Sequence, residues 1–561
     1  MAELTILDGA MGAMLRAAGL RPGERPEIFG MEHPEIVEKI HRAYVEAGSR
    51  VIHANTSGAN AHRLADTGCD VEKVISVNVA AAKRAAAGRA KVALAVGPVG
   101  ERLEPRGTLP FDAAYEVYAQ MVRAGEQAGA DLVAFESMSD LADVRAAVLA
   151  AREQSDLPVW VTMDFDASGR TAVGTTVGCM ACTLDGFGVS AMGISGLLGP
   201  EEIYPLIEEM RSWTDKPIIV RPSAGLLDPA AGEYHMDASE FARQMDRFRA
   251  LGVSILGGGC GTTPEFIRRL AQLSPGEEDL RPPKRQGVCS VSHMTEFAGV
   301  RIIGERINPT GKERLQRTLL ERNFEVVKAY AMEQAAAGAD ILDININALG
   351  VNEAELMPQV VRAIQSVVDL PLQLDSADSK AIEAGLRACN GRAIVNSVTA
   401  APESLHSILP LVKKYGAAVV GLTMNEEGVP ETARQRLELA RRIAQTALSY
   451  GIPKREVYID CLALPVISRQ DQAQETLKAV RMVHEQMGLH CVLGVSNISY
   501  GMARRGPVTA SFLTQAMLCG LDLPIINPNQ TAVMDAVAAY RALSGEDKNC
   551  EAYFARFPEK E

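Results

Sequence analysis

The chain has 561 residues, of which 47% are hydrophobic and 23% charged, and its formal net charge is −13. Because one hydrophobic core rarely organises so long a chain, we expect at least two domains. The acidic balance and the aromatic content of 5% argue against a nucleic-acid or anionic-membrane partner. No secretion signal or membrane-length apolar run is apparent, so the ten cysteines predict reduced thiols in a cytoplasmic protein.

Short apolar strands alternate with amphipathic helices through the first half of the sequence. Helical runs such as residues 34–48 and 239–252 each end at a glycine, which is a common helix stop. Eight strands alternating with helices predict an α/β fold, a (β/α)8 TIM barrel over residues 1–273, rather than an open sheet. The predicted strands are TILDG, VIHAN, VALAVGP, LVAFES, VWVTM, AMGIS, IIVRPSAG and SILGGG.

A stretch rich in proline and charge separates the two halves, and we predict an interdomain linker at residues 274–298. The alternation then resumes, with helical runs such as residues 324–338 and 432–451. We therefore predict a second, tandem (β/α)8 barrel over residues 299–545 and a C-terminal tail at residues 546–561. The predicted strands are RIIGERIN, ILDININ, LQLDS, AIVNS, VVGLTM, VYIDC, VLGVSN and PIINPN.

Acids and amides end the strands of the second barrel, with almost no Lys, Arg or His among them. Chemistry in such barrels occurs at these C-terminal strand ends. The composition suits a neutral, hydrogen-bond-rich heterocycle and does not suit a phosphate, which calls for Arg, Lys or a glycine-rich loop. The alternative is that these side chains cap the following helices. The residues are Glu305, Asn308, Asp343, Asn345, Asp375, Asn396, Asp460, Asn497 and Asn527.

The strand ends of the first barrel carry a less uniform set of side chains. Asp8, Asn55, Glu136 and Asp164 follow strands one, two, four and five, and Cys260 follows strand eight. Asp8 and Glu136 suit either the ammonium group of an amino acid or two helix caps. The glycine-rich stretch around Cys260 has the appearance of a metal-thiolate corner, yet it holds a single cysteine.

Several motifs, in the right order across both predicted domains, resemble those of cobalamin-dependent methionine synthase. The N-terminal half of that family pairs a homocysteine-binding barrel with a pterin-binding barrel. The resemblance covers essentially the whole chain, because both predicted barrels and the stretch between them contribute to it. The motifs are LDGAMG, GLLGPEEI, GGCGTTPE, GERINPTG, LDININ and GVSNISYG.

The resemblance implies that the second barrel binds 5-methyltetrahydrofolate and transfers its methyl group to the cobalt of a corrinoid. Protonation of N5 turns a poor leaving group into a good one, so the site should favour the protonated pterin in the transition state. By resemblance, Asn497 would lie beside N5 and would form the catalytic set with Asp375 and Asp460. The pterin-binding set would also include Glu305, Asn308, Asp343, Asn345, Asn396, Arg505 and Asn527.

The first barrel departs from the family pattern at the metal site. The family binds zinc through three cysteines, and the metal activates the thiol of homocysteine. Here Gly196 and Gly259 replace two of them, and only Cys260 remains. Because a lone thiolate cannot hold zinc, we predict that zinc is absent and that Cys260 is a remnant. The predicted first-barrel pocket comprises Asp8, Asn55, Glu136, and Ser195 and Ser223 in place of two family asparagines.

Cys179 and Cys182, in the predicted loop after strand five, offer a different three-thiolate site with Cys260. Strand five lies well across the barrel mouth from strand eight, so two buried structural cysteines are the competing interpretation.

Three functions compete at this point. The first is methyl transfer between 5-methyltetrahydrofolate and a corrinoid carried by a separate protein or domain, with the first barrel altered for a ligand other than zinc-activated homocysteine. The second is a methionine synthase module that still methylates homocysteine. The third is a non-catalytic folate-binding or scaffold protein.

Overall fold

The computed structural model describes residues 4–225, 234–273 and 285–558. The chain divides into two compact units, Met1–Arg285 and Gln286–Glu561. Residues 274–284 of the predicted linker lie outside the described residues. Within the described ranges, no helix combines the length and the apolar character needed to cross a bilayer.

The first unit contains the predicted eight-stranded parallel barrel. Its strands are β1 (Thr5–Ile6), β2 (Val51–His53), β3 (Lys91–Val96), β4 (Leu132–Met138), β5 (Val159–Asp164), β6 (Ala191–Ser195), β7 (Ile218–Arg221) and β8 (Ile255–Leu256). They pair in the order β1-β8-β7-β6-β5-β4-β3-β2. A parallel bridge between Leu7 and Val51 joins the two ends of this sheet, so the barrel closes.

Helices cover the outside of this barrel and place one apolar face against the strands. The helix predicted from residue 34 ends where expected, because Gly48 adopts a φ of +116° that other residues rarely adopt. The helices are α1 (Met11–Ala17), α2 (Pro26–Glu32), α3 (Pro34–Ala47), α4 (Ala61–Leu64), α5 (Val71–Ala86), α6 (Phe111–Gln127), α7 (Leu141–Gln154), α8 (Val177–Phe187), α9 (Pro200–Trp213), α10 (Ala238–Asp246) and α11 (Pro264–Leu270), with a 3-10 turn at Arg247–Leu251.

The second unit begins with a two-stranded antiparallel hairpin and continues into a closed parallel barrel. The hairpin strands are β9 (Gly287–Cys289) and β10 (Met294–Glu296). The barrel strands are β11 (Ile303–Ile307), β12 (Ile341–Asn345), β13 (Leu372–Asp375), β14 (Ile394–Thr399), β15 (Ala418–Leu422), β16 (Val457–Asp460), β17 (Cys491–Gly494) and β18 (Leu521–Ile526). They close in sequential order, as the strand count predicts.

Ten helices and three 3-10 turns complete the described part of the second unit. Residue Thr432 caps its helix reciprocally with Gln435, which fixes the start of the predicted helix there. The helices are α12 (Glu313–Leu320), α13 (Glu325–Ala336), α14 (Glu353–Gln365), α15 (Ser379–Ala388), α16 (Pro402–Tyr415), α17 (Ala433–Ser449), α18 (Gln472–Met487), α19 (Arg505–Leu518), α20 (Thr531–Ser544) and α21 (Glu551–Arg556), and the turns are Lys454–Glu456, Val495–Ser499 and Lys548–Cys550.

The hairpin corrects the predicted linker, which was wrong for residues 287–297. Val288 and Phe297 are buried in the apolar cluster formed where the barrel strands begin. Cys289 and Arg392 exchange main-chain hydrogen bonds just before β14. Because the hairpin fills the N-terminal end of the barrel, it belongs to the second domain. Its apolar positions are few and stand between polar residues, so no sequence periodicity reveals it.

The predicted tail is also folded along residues 546–558. Asp547 accepts hydrogen bonds from the main-chain nitrogens of Ala552 (3.0 Å) and Tyr553 (2.9 Å), which fixes the start of α21. Arg556 pairs with Asp535 of α20 at 2.9 Å. The stretch therefore ends the second barrel as a short packed helix.

Candidate active sites of the two barrels

A continuous row of polar side chains crosses the mouth of the second barrel. Asn345, Asp375 and Asn396 are register neighbours at the ends of β12, β13 and β14. Asn345 Nδ2 donates a hydrogen bond to Asp375 Oδ2 at 3.0 Å. Parallel strands in register point such residues to the same face, so the row presents amide and carboxylate groups side by side.

Asp460, at the end of β16, is only 7% exposed. Burial raises the pKa of its carboxyl group to about 6, although main-chain hydrogen bonds from Leu462 and Gly494 oppose the shift. The nitrogen of Leu462 lies 2.6 Å from Asp460 Oδ1, and Leu462 itself has a φ of +61°. The buried Arg436 donates to the carbonyl oxygens of Cys461 and Leu462, so it holds this unusual backbone in place.

Glu305 is held at the mouth by the turn that follows β17. Ser496 Oγ donates to Glu305 Oε1 at 2.7 Å, and burial raises the pKa of the Glu305 carboxyl group. Arg505 donates from Nε to Ser499 Oγ at 3.0 Å and from Nη2 to the Ser496 carbonyl at 2.5 Å. In this structure Arg505 therefore anchors the turn Val495–Ser499, and the exposed Asn497 stands at its centre.

The side chain of Asn497 lies back across Gly494. Its amide nitrogen is 2.9 Å from the position that a Cβ on Gly494 would occupy. Any side chain at residue 494 would therefore push the Asn497 amide away. The glycine in the GVSN stretch is required by this close approach.

Three other predicted pterin-binding residues have protein partners of their own. Asp343 lies beneath the row, where it accepts a hydrogen bond from Gln373 Nε2 at 2.7 Å and a second from the Asn396 side chain. Burial, together with the neighbouring Asp375, raises its pKa. Asn308 and Asn527 accept from the main-chain nitrogens of Thr310 (3.0 Å) and Asn529 (3.1 Å), as turn-forming residues do. A pterin contact for these three stays a prediction.

The first barrel opens at its C-terminal strand ends into a cavity of about 360 Å³. Of the predicted pocket residues, Asp8, Asn55, Glu136 and Ser195 line it. The fifth, Ser223, is fully buried and lies within hydrogen-bonding distance of the carbonyl oxygens of Leu197 (2.8 Å) and Gly225 (2.7 Å). That side chain fixes the neighbouring loops, and its contact with a ligand stays a prediction.

A network of charges forms the floor of this cavity. Arg221 Nη1 lies 2.8 Å from Glu136 Oε2, and Arg221 Nη2 lies 3.4 Å from Asp8 Oδ1. His53 Nδ1 lies 2.7 Å from the same Asp8 oxygen. Sequence reasoning missed both His53 and Arg221. The sequence did contain a signal for Arg221, which ends the apolar run IIVR. A charged residue on a barrel strand requires partners of opposite charge.

Beside this network, Asp164, Ser195 and Arg221 are register neighbours at the ends of β5, β6 and β7. Ser195 Oγ lies 2.9 Å from Asp164 Oδ1 and 3.0 Å from Thr162 Oγ1. Burial raises the pKa of Asp164 to about 6, with a further contribution from the negative charge of Glu136.

Comparison with known proteins follows the division into two barrels. Residues 5–274 match the homocysteine S-methyltransferase family, and residues 304–527 match the pterin-binding enzyme family. The chain joins one domain of each kind. Methionine synthases of Mycobacterium leprae and Mycobacterium tuberculosis are each 29% identical to it, over 93% and 94% of its length. The chain spans about half the length of these relatives, 47% and 48%. The resemblance to methionine synthases is thus confirmed.

Solved structures show a more distant likeness to each half. The metallated homocysteine methyltransferase MmuM of Escherichia coli is 24% identical, with a TM-score of 0.42, and the match covers 48% of this chain and 96% of that one. A dihydropteroate synthase of Xanthomonas albilineans with bound 7,8-dihydropteroate is 19% identical, with a TM-score of 0.36, and the match covers 46% and 99%. Likeness at this distance carries no argument about function.

The first barrel does not fit zinc. A Cβ on Gly196, whose φ is +120°, would lie 2.8 Å from the Asp164 carboxyl carbon. A Cβ on Gly259 would lie 2.8–3.0 Å from the main chain of Arg221 and Pro222. A side chain at residue 196 would thus meet the Asp164 carboxyl group, and one at residue 259 would meet main chain. Of the three family ligand positions, only Cys260 carries a thiolate donor.

The structure contradicts the alternative three-thiolate zinc site of Cys179, Cys182 and Cys260. Cys179 and Cys182 do not lie in a loop, because Thr176 caps the helix at Cys179 N and α8 begins at Val177. Both cysteines are buried within that helix. Across residues 4–225, 234–273 and 285–558, no cluster of three or more His, Cys, Asp and Glu is arranged to hold a metal ion.

Restoring the missing cysteine is expected to destabilise the domain without restoring zinc. Gly259→Cys would press Cβ against rigid main chain, so we expect a loss of about 1–3 kcal/mol in the free energy of unfolding. Urea denaturation followed by Trp fluorescence measures that loss, and metal analysis measures zinc. Gly12→Cys, at a cavity position with nothing within 4 Å of the new Cβ, is the matched control. Stoichiometric zinc in a stable Gly259→Cys protein would contradict this expectation.

Proposed function

We propose that this chain is a methyltransferase that moves a methyl group between 5-methyltetrahydrofolate and the cobalt of a corrinoid. The corrinoid is carried by a separate protein or domain. The first barrel serves a methyl acceptor or donor other than zinc-activated homocysteine. The match to the pterin-binding family and the likeness to methionine synthases both support the folate half of this proposal.

The observation that carries the proposal is the polar row Asn345, Asp375 and Asn396 with Asp460 beside the same mouth. A reduced pterin presents several ring N–H donors and acceptors in one plane. Amide and carboxylate groups in a shared row can pair with them in that plane, which fixes the orientation of the ring. No cation is needed for this recognition, in agreement with the scarcity of Lys and Arg at these strand ends.

Methyl transfer from N5 requires that the nitrogen leave as an amine. A protonated N5 carries a positive charge, and carboxylates at the mouth favour that charge. Asp460, whose pKa burial raises to about 6, is suited to exchange a proton near neutral pH, and burial also raises the pKa of Glu305. Asn497 stands on an exposed turn above them, where its amide can accept a hydrogen bond from protonated N5.

The test is an anaerobic assay with 5-methyltetrahydrofolate and free cob(I)alamin, followed by the absorbance of methylcobalamin. We expect protein-dependent methyl transfer, and at least a 100-fold loss in Asp375→Asn, whose carboxylate belongs to the row. Asp535→Asn makes the same chemical change on α20, away from the mouth, and should keep full activity. Tight folate binding without any demethylation would instead indicate a folate-binding protein that lacks catalysis.

A second candidate function is a methionine synthase module that still methylates homocysteine. The family match over residues 5–274 favours it. It requires near-stoichiometric zinc that depends on Cys260, so loss of zinc and of homocysteine methylation in Cys260→Ala would establish it. The lack of space for a side chain at Gly196, beside the Asp164 carboxyl group, and at Gly259, beside main chain, argues against that outcome.

A further inference from the structure

The floor of the first-barrel cavity holds a histidine oriented by a buried carboxylate. Asp8 is 2% exposed and accepts hydrogen bonds on both oxygens, one from the His53 ring at 2.7 Å and one from the His53 main chain at 2.7 Å. Burial alone would raise the pKa of Asp8, but its contacts with His53 and Arg221 outweigh burial and hold the pKa below its usual value. The ring of His53 is therefore fixed against a carboxylate.

The neighbours of His53 define which ring nitrogen carries no hydrogen. Arg221 Nη1 lies 3.4 Å from His53 Nε2 and can only donate, so Nε2 is the unprotonated nitrogen and Nδ1 carries the hydrogen shared with Asp8. A base held by a third group in this way has the arrangement of an activating dyad. His53 and Asp8 both line the cavity, as do Ser195 and Cys260.

Arg221 also changes which ligands this cavity suits. Its guanidinium lies between Asp8 and Glu136, the two carboxylates that the sequence made available for an ammonium group. Arg221 balances one of their two negative charges within the protein. A ligand therefore gains less from an ammonium group here than two unpaired carboxylates would provide, whereas a free amino acid must bring one.

We propose that His53, oriented by Asp8, is a metal-independent general base that activates a small thiol in the first barrel, and that this thiol needs no ammonium group. The proposal rests on the proposed function, because it names how the first barrel activates its acceptor. The thiol proton passes to His53 Nε2 while the sulfur bonds to the methyl carbon of a methyl-corrinoid donor. The carbon–cobalt bond breaks, and its electron pair stays on cobalt, which is reduced from Co(III) to Co(I).

A thiol is the acceptor that a metal-free imidazole can activate. The pKa of an ordinary thiol exceeds that of an ordinary imidazole by about 2 units, so proton transfer between them is only modestly uphill. Alcohols are far weaker acids and would need a metal or a stronger base. The titratable and charged groups facing His53 are Asp8 on β1, Glu136 on β4, Arg221 on β7, and His41 and Tyr44 on α3.

The experiment supplies free methylcobalamin and either homocysteine or 4-mercaptobutyrate, which is homocysteine without its amino group. Metal chelator is present throughout, and loss of the methylcobalamin spectrum reports the reaction. We expect the full-length protein to methylate both thiols, the des-amino compound at least as fast. His53→Gln should lower the rate at neutral pH about 100-fold. The rate of the His53→Gln variant should recover toward the wild-type rate at alkaline pH, where the thiol ionises without a base.

Two further variants separate a base from a structural histidine. Asp8→Asn leaves His53 in place without its orienting charge, so we expect an intermediate loss that alkaline pH also restores. His62→Gln removes an exposed histidine that pairs with Glu101 at 3.1 Å outside this cavity, and it should match the wild type at every pH. Fluorescence of Trp160 and Trp213, which both lie in the first unit, reports whether the first barrel of each variant is folded. The folate half-reaction measures the activity of the second barrel in the same preparation.

The outcomes are distinct for the two proposals. Unchanged activity in His53→Gln, or a loss that alkaline pH does not restore, overturns the assignment of His53. Failure of the wild type to methylate either thiol, beside an intact folate half-reaction, overturns the thiol acceptor and leaves the proposed function standing. If the rate with homocysteine exceeds the rate with 4-mercaptobutyrate by more than about tenfold, the argument from Arg221 is overturned. Failure of the folate half-reaction itself contradicts the proposed function instead.

Discussion

Asn497→Ala is expected to lower the maximal rate of methyl transfer from 5-methyltetrahydrofolate by about 100-fold or more, while the KM for folate changes little. The reason is that a hydrogen bond to N5 gains strength only as the nitrogen takes up its proton, so its loss affects the transition state more than the bound substrate. Stopped-flow measurement with cob(I)alamin at saturating folate gives the rate, and a folate titration gives the KM.

Gly494→Ala should reproduce part of this loss without touching the substrate. The new Cβ would lie 2.9 Å from the Asn497 amide nitrogen and would displace it. Gly506→Ala is the matched control, because its new Cβ meets only Ala532, at 3.9 Å. If Gly494→Ala lowers the rate further in the Asn497→Ala background, then Gly494 does not act through the position of the Asn497 amide. A wild-type rate in Asn497→Ala would remove the residue from the catalytic set.

Asp460→Asn is expected to inactivate methyl transfer by at least 100-fold and yet to stabilise the second barrel at pH 8. Its carboxyl group has a pKa of about 6 in the folded protein, above the 3.8 of an aspartate in the unfolded chain. The folded state therefore holds its proton more tightly, so this group favours folding at low pH. That contribution fades as the pH rises from the unfolded pKa through the folded one.

The size of the change in the free energy of unfolding follows from the pKa shift of Asp460. A difference of about two units corresponds to about 3 kcal/mol at pH 8, an upper limit because the new amide nitrogen would face the Gly494 N–H. We expect a net gain of about 1–2 kcal/mol at pH 8 and none at pH 5. Asp535→Asn, on α20, should show no such pH dependence, and a loss of stability at pH 8 in Asp460→Asn would contradict the assigned cause.

The two barrels can be followed separately in that measurement. Both tryptophans of the chain, Trp160 and Trp213, lie in the first unit, so Trp fluorescence reports its unfolding alone. Far-ultraviolet circular dichroism reports both units. The effect of Asp460→Asn should therefore appear in the circular dichroism transition and be absent from the fluorescence transition.

The strands of both barrels were predictable because each is a short apolar run between helices of clear periodicity. Residues that face the mouth were predictable as a set, since Asp375, Asn396 and Asp460 interrupt or end such runs. The depth of each side chain in the barrel was not predictable, because Asp343 and Asn345 both point inward and only the packed barrel distinguishes the buried acid from the half-buried amide. In the same way, the partners of Arg221 come from the residues just after β1 and from β4, far away in sequence.

Two predictions failed for a local reason. Cys179 and Cys182 belong to a helix because Thr176 supplies a cap, and a cap outweighs the glycine and threonine nearby that suggest a loop. The predicted linker contained a hairpin because two buried side chains, Val288 and Phe297, are enough to seat it against a barrel that already exists. Neither signal has a period that a sequence pattern could detect.

The packed hairpin determines where the second barrel can be separated from the rest of the chain. A fragment that begins at residue 299 would lack Val288 and Phe297 and would leave the apolar cluster at the N-terminal end of the barrel open to water. Gene fusion or domain exchange can therefore move this domain intact only with its approach segment from Gly287 onward. The recombination boundary between the two barrels then lies upstream of the hairpin. The hairpin residues, which the sequence suggested were part of a linker, are inherited together with the second barrel.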